Sequence, residues 1–132
     1  MKLSQIFDQA PDLEISGLSS DSRTVKPGDM YFCLEGLHSD GHTFIDQAIE
    51  KGACCIVHSR PLEQMKDGIA YIRVNDVNAT LNLIASKFYA YPSRTLTMFG
   101  ITGTNGKSSV ASIIQDTYSH FAPCGYIGTI AI

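Results

Sequence analysis

Leu96–Ser109 reads LTMFGITGTNGKSS. An apolar, strand-like run ends in Gly103-Thr104-Asn105-Gly106, then a lysine and two hydroxyls, and a helical pattern follows. Closely spaced glycines let backbone N–H groups converge on an anion without Cβ interference, and the next helix adds its positive N-terminal end. The order therefore suits a nucleotide phosphate. Amides of Gly103, Thr104, Asn105 and Gly106 are expected to donate to phosphate oxygens, and Lys107 can reach the β/γ-phosphates. Ser108 offers a hydroxyl to a Mg²⁺ ion, and Ser109 is a further phosphate donor; either could also cap the helix. The full P-loop spacing is not met: Ile101 stands where it wants glycine, and Gly100 falls one place early. The competing local structure is a β-hairpin, because Asn-Gly is a strong two-residue turn. A hairpin needs period-two alternation after the turn, whereas Val110, Ile113, Ile114 and Thr117 repeat at three and four, predicting a helix over 108–119.

Working outward, strands are expected at 96–102 and 125–131, so the segment from residue 93 reads as strand, phosphate loop, helix, strand. Tyr91-Pro92-Ser93 breaks the preceding pattern and marks a boundary, giving expected domains 1–92 and 93–132. Before it, Leu3, Ile6, Phe7 and Ala10 suggest a short amphipathic helix stopped by Pro11. Leu13–Leu18 reads as a strand, Ser19–Arg23 as a polar turn, Val25–Asp29 as a tight turn, and Met30–Leu34 as a buried strand. A helix over Thr43–Lys51 with Phe44, Ile45, Ala48 and Ile49 inward is expected to end at Gly52. Strands Cys54–Val57 and Ile69–Val74 follow. Asp76 then caps a helix through Tyr89, with Val77, Leu81, Ile84, Ala85 and Phe88 on one face. The fold class is α/β: a small N-terminal α/β domain, then the opening of a parallel-sheet domain. A lone strand–helix–strand cannot cover both faces of its parallel strands, so the chain reads as a truncated product.

The 132 residues carry 10 Lys and Arg against 13 Asp and Glu, a net charge of −3, with 44% apolar and 17% charged residues. These values fit a globular protein, and the absence of any basic run argues against a nucleic-acid partner. The first fifteen residues lack a signal peptide's apolar stretch, and no segment is long enough to span a bilayer, which predicts a cytoplasmic chain without membrane insertion. Cys33, Cys54, Cys55 and Cys124 show no paired metal-ligand spacing and read mostly as buried, reduced thiols. Asn78-Ala79-Thr80 has the form of a glycosylation sequon, which a cytoplasmic chain never presents to that machinery.

Ser20-Asp21-Ser22-Arg23, Pro27-Gly28-Asp29-Met30-Tyr31-Phe32 and Asp40-Gly41-His42-Thr43-Phe44-Ile45 resemble the N-terminal domain of the Mur ligases. Gly100–Ser109 is similar to the ATP loop that opens their central domain. The GITGTNGK form, the approach Phe88–Ser93 and Gly125-Tyr126-Ile127-Gly128-Thr129 resemble the MurE-type member of the family. The MurF type shares the N-terminal pattern but usually has a serine at the place of Thr104.

The resemblance covers the whole chain but about a quarter of a three-domain enzyme. It implies ATP-dependent addition of meso-diaminopimelate or L-lysine to UDP-N-acetylmuramoyl-L-alanyl-D-glutamate in peptidoglycan synthesis, by a monomer using ATP and Mg²⁺. It also implies Lys107 as the catalytic charge, and uridine-diphosphate contacts at Ser20 and Ser22 and in a second loop at Leu37, His38 and Ser39. Arg23 could pair a phosphate or a neighbouring acid, while His42, His58 and His120 read as structural or exposed. On its own the chain is expected to be catalytically silent. A MurF-type fragment, a non-catalytic nucleotide-binding module and an unrelated P-loop NTPase remain the competing readings.

Overall fold

The computed structural model describes residues 1–8, 10–36 and 39–128. The chain divides into two compact units, Met1–Pro92 and Ser93–Ile132. The first is built on a four-stranded sheet, β1 (Gly17–Ser19), β2 (Asp29–Phe32), β3 (Cys55–His58) and β4 (Ala70–Arg73), ordered as in the chain and parallel throughout. Register runs Leu18 to Met30 to Cys55 to Ala70, with Tyr31, Ile56 and Tyr71 aligned one step on.

Parallel strands covered on both faces read as near-continuous apolar runs rather than alternating ones. All four residues of β2 and of β3 are buried. Alternation then sorts the side chains by face. Met30, Phe32, Cys55 and Val57 pack with Leu3, Ile15 and the Val77 and Ile84 face of α2 (Val77–Phe88). Tyr31, Cys33 and Ile56 pack on the other side with Val25, Ala53 and Ala48 of α1 (Ile45–Glu50). Burial pushes the thiols of Cys33 and Cys55 up to about 12, so both stay protonated and unreactive.

Helix ends follow the capping residues. The Asp76 carboxylate accepts from the Ala79 amide at 2.9 Å and starts α2. At its other end Ala90 N–H bonds to Lys87 O and Tyr91 N–H to Ser86 O, a paired closure in which both residues sit at positive φ. Gly52 stops α1 at φ +102, where an added Cβ would lie 2.8 Å from Pro27 Cα.

Three local expectations are corrected. The N-terminal helix is only a 3₁₀ turn, Leu3–Gln5, although Ile6, Phe7 and Ala10 do pack on the core. Met1 and Leu3 bond instead to Ile15 and Leu13 at 2.9 and 2.7 Å, an antiparallel pairing that competes with helix growth and delays β1 until Gly17. The helix expected from Thr43 begins as a 3₁₀ turn over Gly41–Phe44. Three residues per turn instead of 3.6 shifts the phase, so Phe44 is 41% exposed rather than inward, while Ile45 and Ile49 pack on the core as expected.

In the second unit α3 spans Lys107–Ser119, so the Asn-Gly pair opens a helix and not a hairpin. The third correction lies on its flanks: residues 96–102 and 125–128 form no strand. A strand exists through its ladder, and among the described residues no partner strand stands beside either segment. The rest of the 125–131 expectation lies outside the described residues. Leu96, Met98, Phe99, Val110 and Ile113 are exposed, while the Phe99 and Tyr118 rings lie 5.1 Å apart, tying the approach segment to the helix. Among the described residues, no helix is long and apolar enough to cross a membrane.

Candidate functional site

Because the four strands are parallel, their C-terminal ends share one edge, and the loops leaving that edge are where ligand clefts form in open α/β sheets. β1 delivers Ser20–Arg23 there, β2 delivers Leu34–Gly36 and Ser39, and β4 delivers Asn75–Asn78 with the N-terminus of α2. These loops enclose a cleft of about 710 Å³, within the range of small-molecule sites. Ser20, Ser22 and Ser39, distant in sequence, all line it. Leu37 and His38 lie outside the described residues.

The loop conformations have specific supports. Ser22 is buried and its hydroxyl donates to Gln47 Oε1 at 2.5 Å, anchoring the first loop on α1. The Asp21 carboxylate accepts from the Arg23 amide at 2.9 Å, from Nε at 3.0 and 3.1 Å, and from Nη2 at 2.7 Å. That pairing draws the Asp21 carboxyl down to about 2. Arg23 therefore has its partner inside the loop, and in so exposed a pair the value lies in loop shape more than in stability. Lys51 Nζ adds a bond to Arg23 O at 2.5 Å. On the cleft's inner side Tyr31 Oη donates to Gly41 O at 3.1 Å. Gly41 must be glycine here, since a Cβ would sit 2.7 Å from Leu34 N and 2.9 Å from Cys33 Cα.

Sequence reasoning missed Tyr31, Gln47 and Asn78. Tyr31 and Gln47 gave no signal, one being hidden in a core strand and the other in an amphipathic helix. Asn78 had one: it stands in the first turn of the helix that follows parallel strand β4. His42 and His58 are structural, with ring Nδ1 atoms 2.7 Å from Asp40 Oδ1 and from Arg60 O respectively, and His120 is exposed.

The loop at 103–109 is a separate candidate site in the second unit. Gly103 and Gly106 have φ of +153° and +76°, and a Cβ at Gly106 would meet nothing within 4 Å. α3 starts without a side-chain cap. Val110 N–H reaches Gly106 O, but the amides of Lys107, Ser108 and Ser109 find no acceptor among the described residues. Three unsatisfied donors at the positive end of a 13-residue helix fit an anionic oxygen cluster. Lys107 Nζ lies over the loop, 2.6 Å from Gly103 O and 3.5 Å from Thr104 O, which holds the ammonium beside those amides. The half-buried Ser108 supplies one hydroxyl oxygen. Among the described residues no cluster of acids, histidines and cysteines could hold a metal unaided. Ser108 therefore suits a cation shared with phosphate oxygens rather than one caged by protein.

Fold and cleft together define a parallel α/β protein whose polar loops gather at the strands' C-terminal edge. Residues 14–89 match the family model described as Mur ligase family, catalytic domain, and the chain belongs to the Mur ligase family. It is 42% identical over 120 residues to the UDP-N-acetylmuramoyl-L-alanyl-D-glutamate--2,6-diaminopimelate ligase of Gloeobacter violaceus, covering 91% of this chain and 24% of the relative. It is 45% identical over 101 residues to the UDP-N-acetylmuramyl-tripeptide synthetase of Treponema pallidum, covering 76% and 19%. Among solved structures, MurF from Acinetobacter baumannii superposes with a TM-score of 0.69 at 27% identity, over 92% of this chain and 27% of that one. MurF ligase from Thermotoga maritima in complex with ADP gives 0.62 at 26% identity, over 84% and 25%. The chain thus spans about a quarter of the length of the relatives it matches.

Proposed function

We propose that this chain is the N-terminal part of an ATP-dependent ligase that joins a diamino acid to UDP-N-acetylmuramoyl-L-alanyl-D-glutamate. The amino acid is meso-diaminopimelate or L-lysine, and the setting is cytoplasmic peptidoglycan synthesis by a monomeric enzyme. The observation that carries this reading is the 42% identity, over nine-tenths of the chain, to a relative named for that reaction. The MurF-type alternative draws on the solved structures, but those share only 26–27% identity.

In this reading residues 1–92 form the domain that binds the UDP portion of the substrate. The convergence of Ser20, Ser22 and Ser39 on one cleft supports it, and Leu37 and His38 extend the second loop's contact. Residues 93–132 open the ATP-binding domain. Its loop amides from Gly103 to Gly106, with Ser109, hold phosphate oxygens, and Lys107 is the catalytic charge that offsets the γ-phosphate's developing negative charge. Ser108 would offer its hydroxyl oxygen to Mg²⁺, whose charge would further neutralise the phosphates. A carboxylate resists an amine until one of its oxygens becomes a phosphate leaving group, which is why ATP is required.

The reading separates two binding events. Titration calorimetry of the chain with the UDP-linked dipeptide substrate is expected to give the same affinity for wild type and Lys107→Ala. Ser22→Ala is expected to weaken binding about 5-fold, the worth of one hydrogen bond. Equal weakening of UDP-substrate binding by Lys107→Ala would contradict the division of labour.

A further inference from the structure

Next to the cleft lies a closed ring of polar side chains that the reaction chemistry does not use. Glu35 and Asp40 face each other as an isolated antiparallel bridge, and Gly36 N–H bonds to Ser39 O at 2.9 Å. They are the two feet of the loop that carries Ser39 into the cleft. Arg60, just past the end of β3, spans both feet: Nη1 donates to Asp40 Oδ2 at 2.8 Å, and Nη2 lies 2.7 Å from Glu35 Oε2. Each carboxylate uses its second oxygen inward. Asp40 Oδ1 accepts from the His42 amide at 3.0 Å and lies 2.7 Å from His42 Nδ1. Glu35 Oε1 accepts from Ser59 Oγ at 2.8 Å. His42 Nε2 closes the ring, 3.3 Å from the Ser59 amide and 3.4 Å from its hydroxyl.

We propose that Arg60 is a positioning residue for substrate binding: its guanidinium clasps Glu35 and Asp40 and so fixes Gly36 and Ser39 against the cleft. This rests on the reading of that cleft as the seat of the UDP-linked substrate.

Two carboxylates at facing positions repel, and the rigid guanidinium presents a separate nitrogen to each at once. Asp40 also caps the 3₁₀ turn Gly41–Phe44. A shift of that foot therefore moves Gly41 and Phe44, which line the same cleft. The Arg60 side chain is 55% exposed, so the clasp contributes little to global stability. Its effect is on loop geometry. Arg60 does not line the cleft itself, which separates its role from direct contact with the ligand.

The test uses UDP as the probe, with Arg60→Met, Arg60→Lys and the double variant Arg60→Met/Glu35→Gln. Arg60→Met is expected to weaken UDP binding about 10-fold, with ATP affinity unchanged and a thermal midpoint near that of wild type. Arg60→Lys, which keeps the charge without the rigid fork, falls between. The double variant removes the repulsion and regains at least part of the lost affinity. Because Glu35 itself lines the cleft, the rescue is read against the gain from Glu35→Gln alone, and a gain no larger than that overturns the proposal. Hydrogen exchange of the Gly36 amide, measured without ligand, gives a second readout: faster exchange in Arg60→Met supports the clasp, and an unchanged rate overturns it. Failure of folded wild-type chain to bind UDP would instead overturn the reading of the cleft, leaving the exchange measurement to judge the clasp.

Discussion

On the proposed function, Lys107→Ala placed in a full-length ligase bearing these residues is expected to lower substrate-dependent ADP release about 10³-fold. Phosphoryl transfer depends on positioning and on neutralising charge that spreads over the phosphate oxygens. An ammonium held 2.6 Å from the Gly103 carbonyl already stands at the loop, so it needs no large rearrangement to meet a bound γ-phosphate. Alanine retains the helix and its three free amides, and nucleotide binding should fall far less than turnover. The UDP-linked substrate should bind as before. Steady-state kinetics with both affinities measured in parallel checks this. A variant that keeps wild-type turnover would remove Lys107 from the chemistry.

Phe32→Ala is expected to cost about 3–5 kcal/mol, a large fraction of the stability of a domain this size. Phe32 is fully buried at the C-terminal end of β2, packed with Val57 and the α2 face, and nothing small can refill the space it leaves. Phe44→Ala is the informative control. Its ring is partly exposed at the cleft, so its loss should cost under about 1 kcal/mol. Urea denaturation followed by far-ultraviolet circular dichroism reads both. Equal losses would mean that the 3₁₀ turn at Gly41–Phe44 does not set the helix phase as described.

That contrast shows where the sequence was readable. Fully apolar runs such as Met30–Leu34 and Cys54–Val57 announced buried parallel strands because burial on both faces favours apolar residues at successive positions. Asp76 announced α2 because a carboxylate in that place accepts from a first-turn amide that has no acceptor within the helix. Phe44 was misread because hydrophobic spacing does not distinguish a 3₁₀ turn from the first turn of an α-helix. The N-terminal helix failed for a non-local reason: Leu3 and Met1 had partners at Leu13 and Ile15.

Part of the cleft was legible as well. Ser20, Ser22 and Ser39 were named from motif likeness, and the structure brings all three to one cleft. The clasp of Arg60 on Glu35 and Asp40 was not legible, since its members come from two separate loops that only the β2–β3 pairing brings together.

The most direct test of two nucleotide seats on this chain is a backbone amide NMR titration with UDP and, separately, with ATP. ATP should shift and saturate the amides of residues 103–109 while leaving Ser20–Arg23 and Ser39 in place, and UDP should do the reverse. ATP shifts confined to the cleft of the first unit, or none around Lys107, would contradict the assignment of the loop as a phosphate cradle.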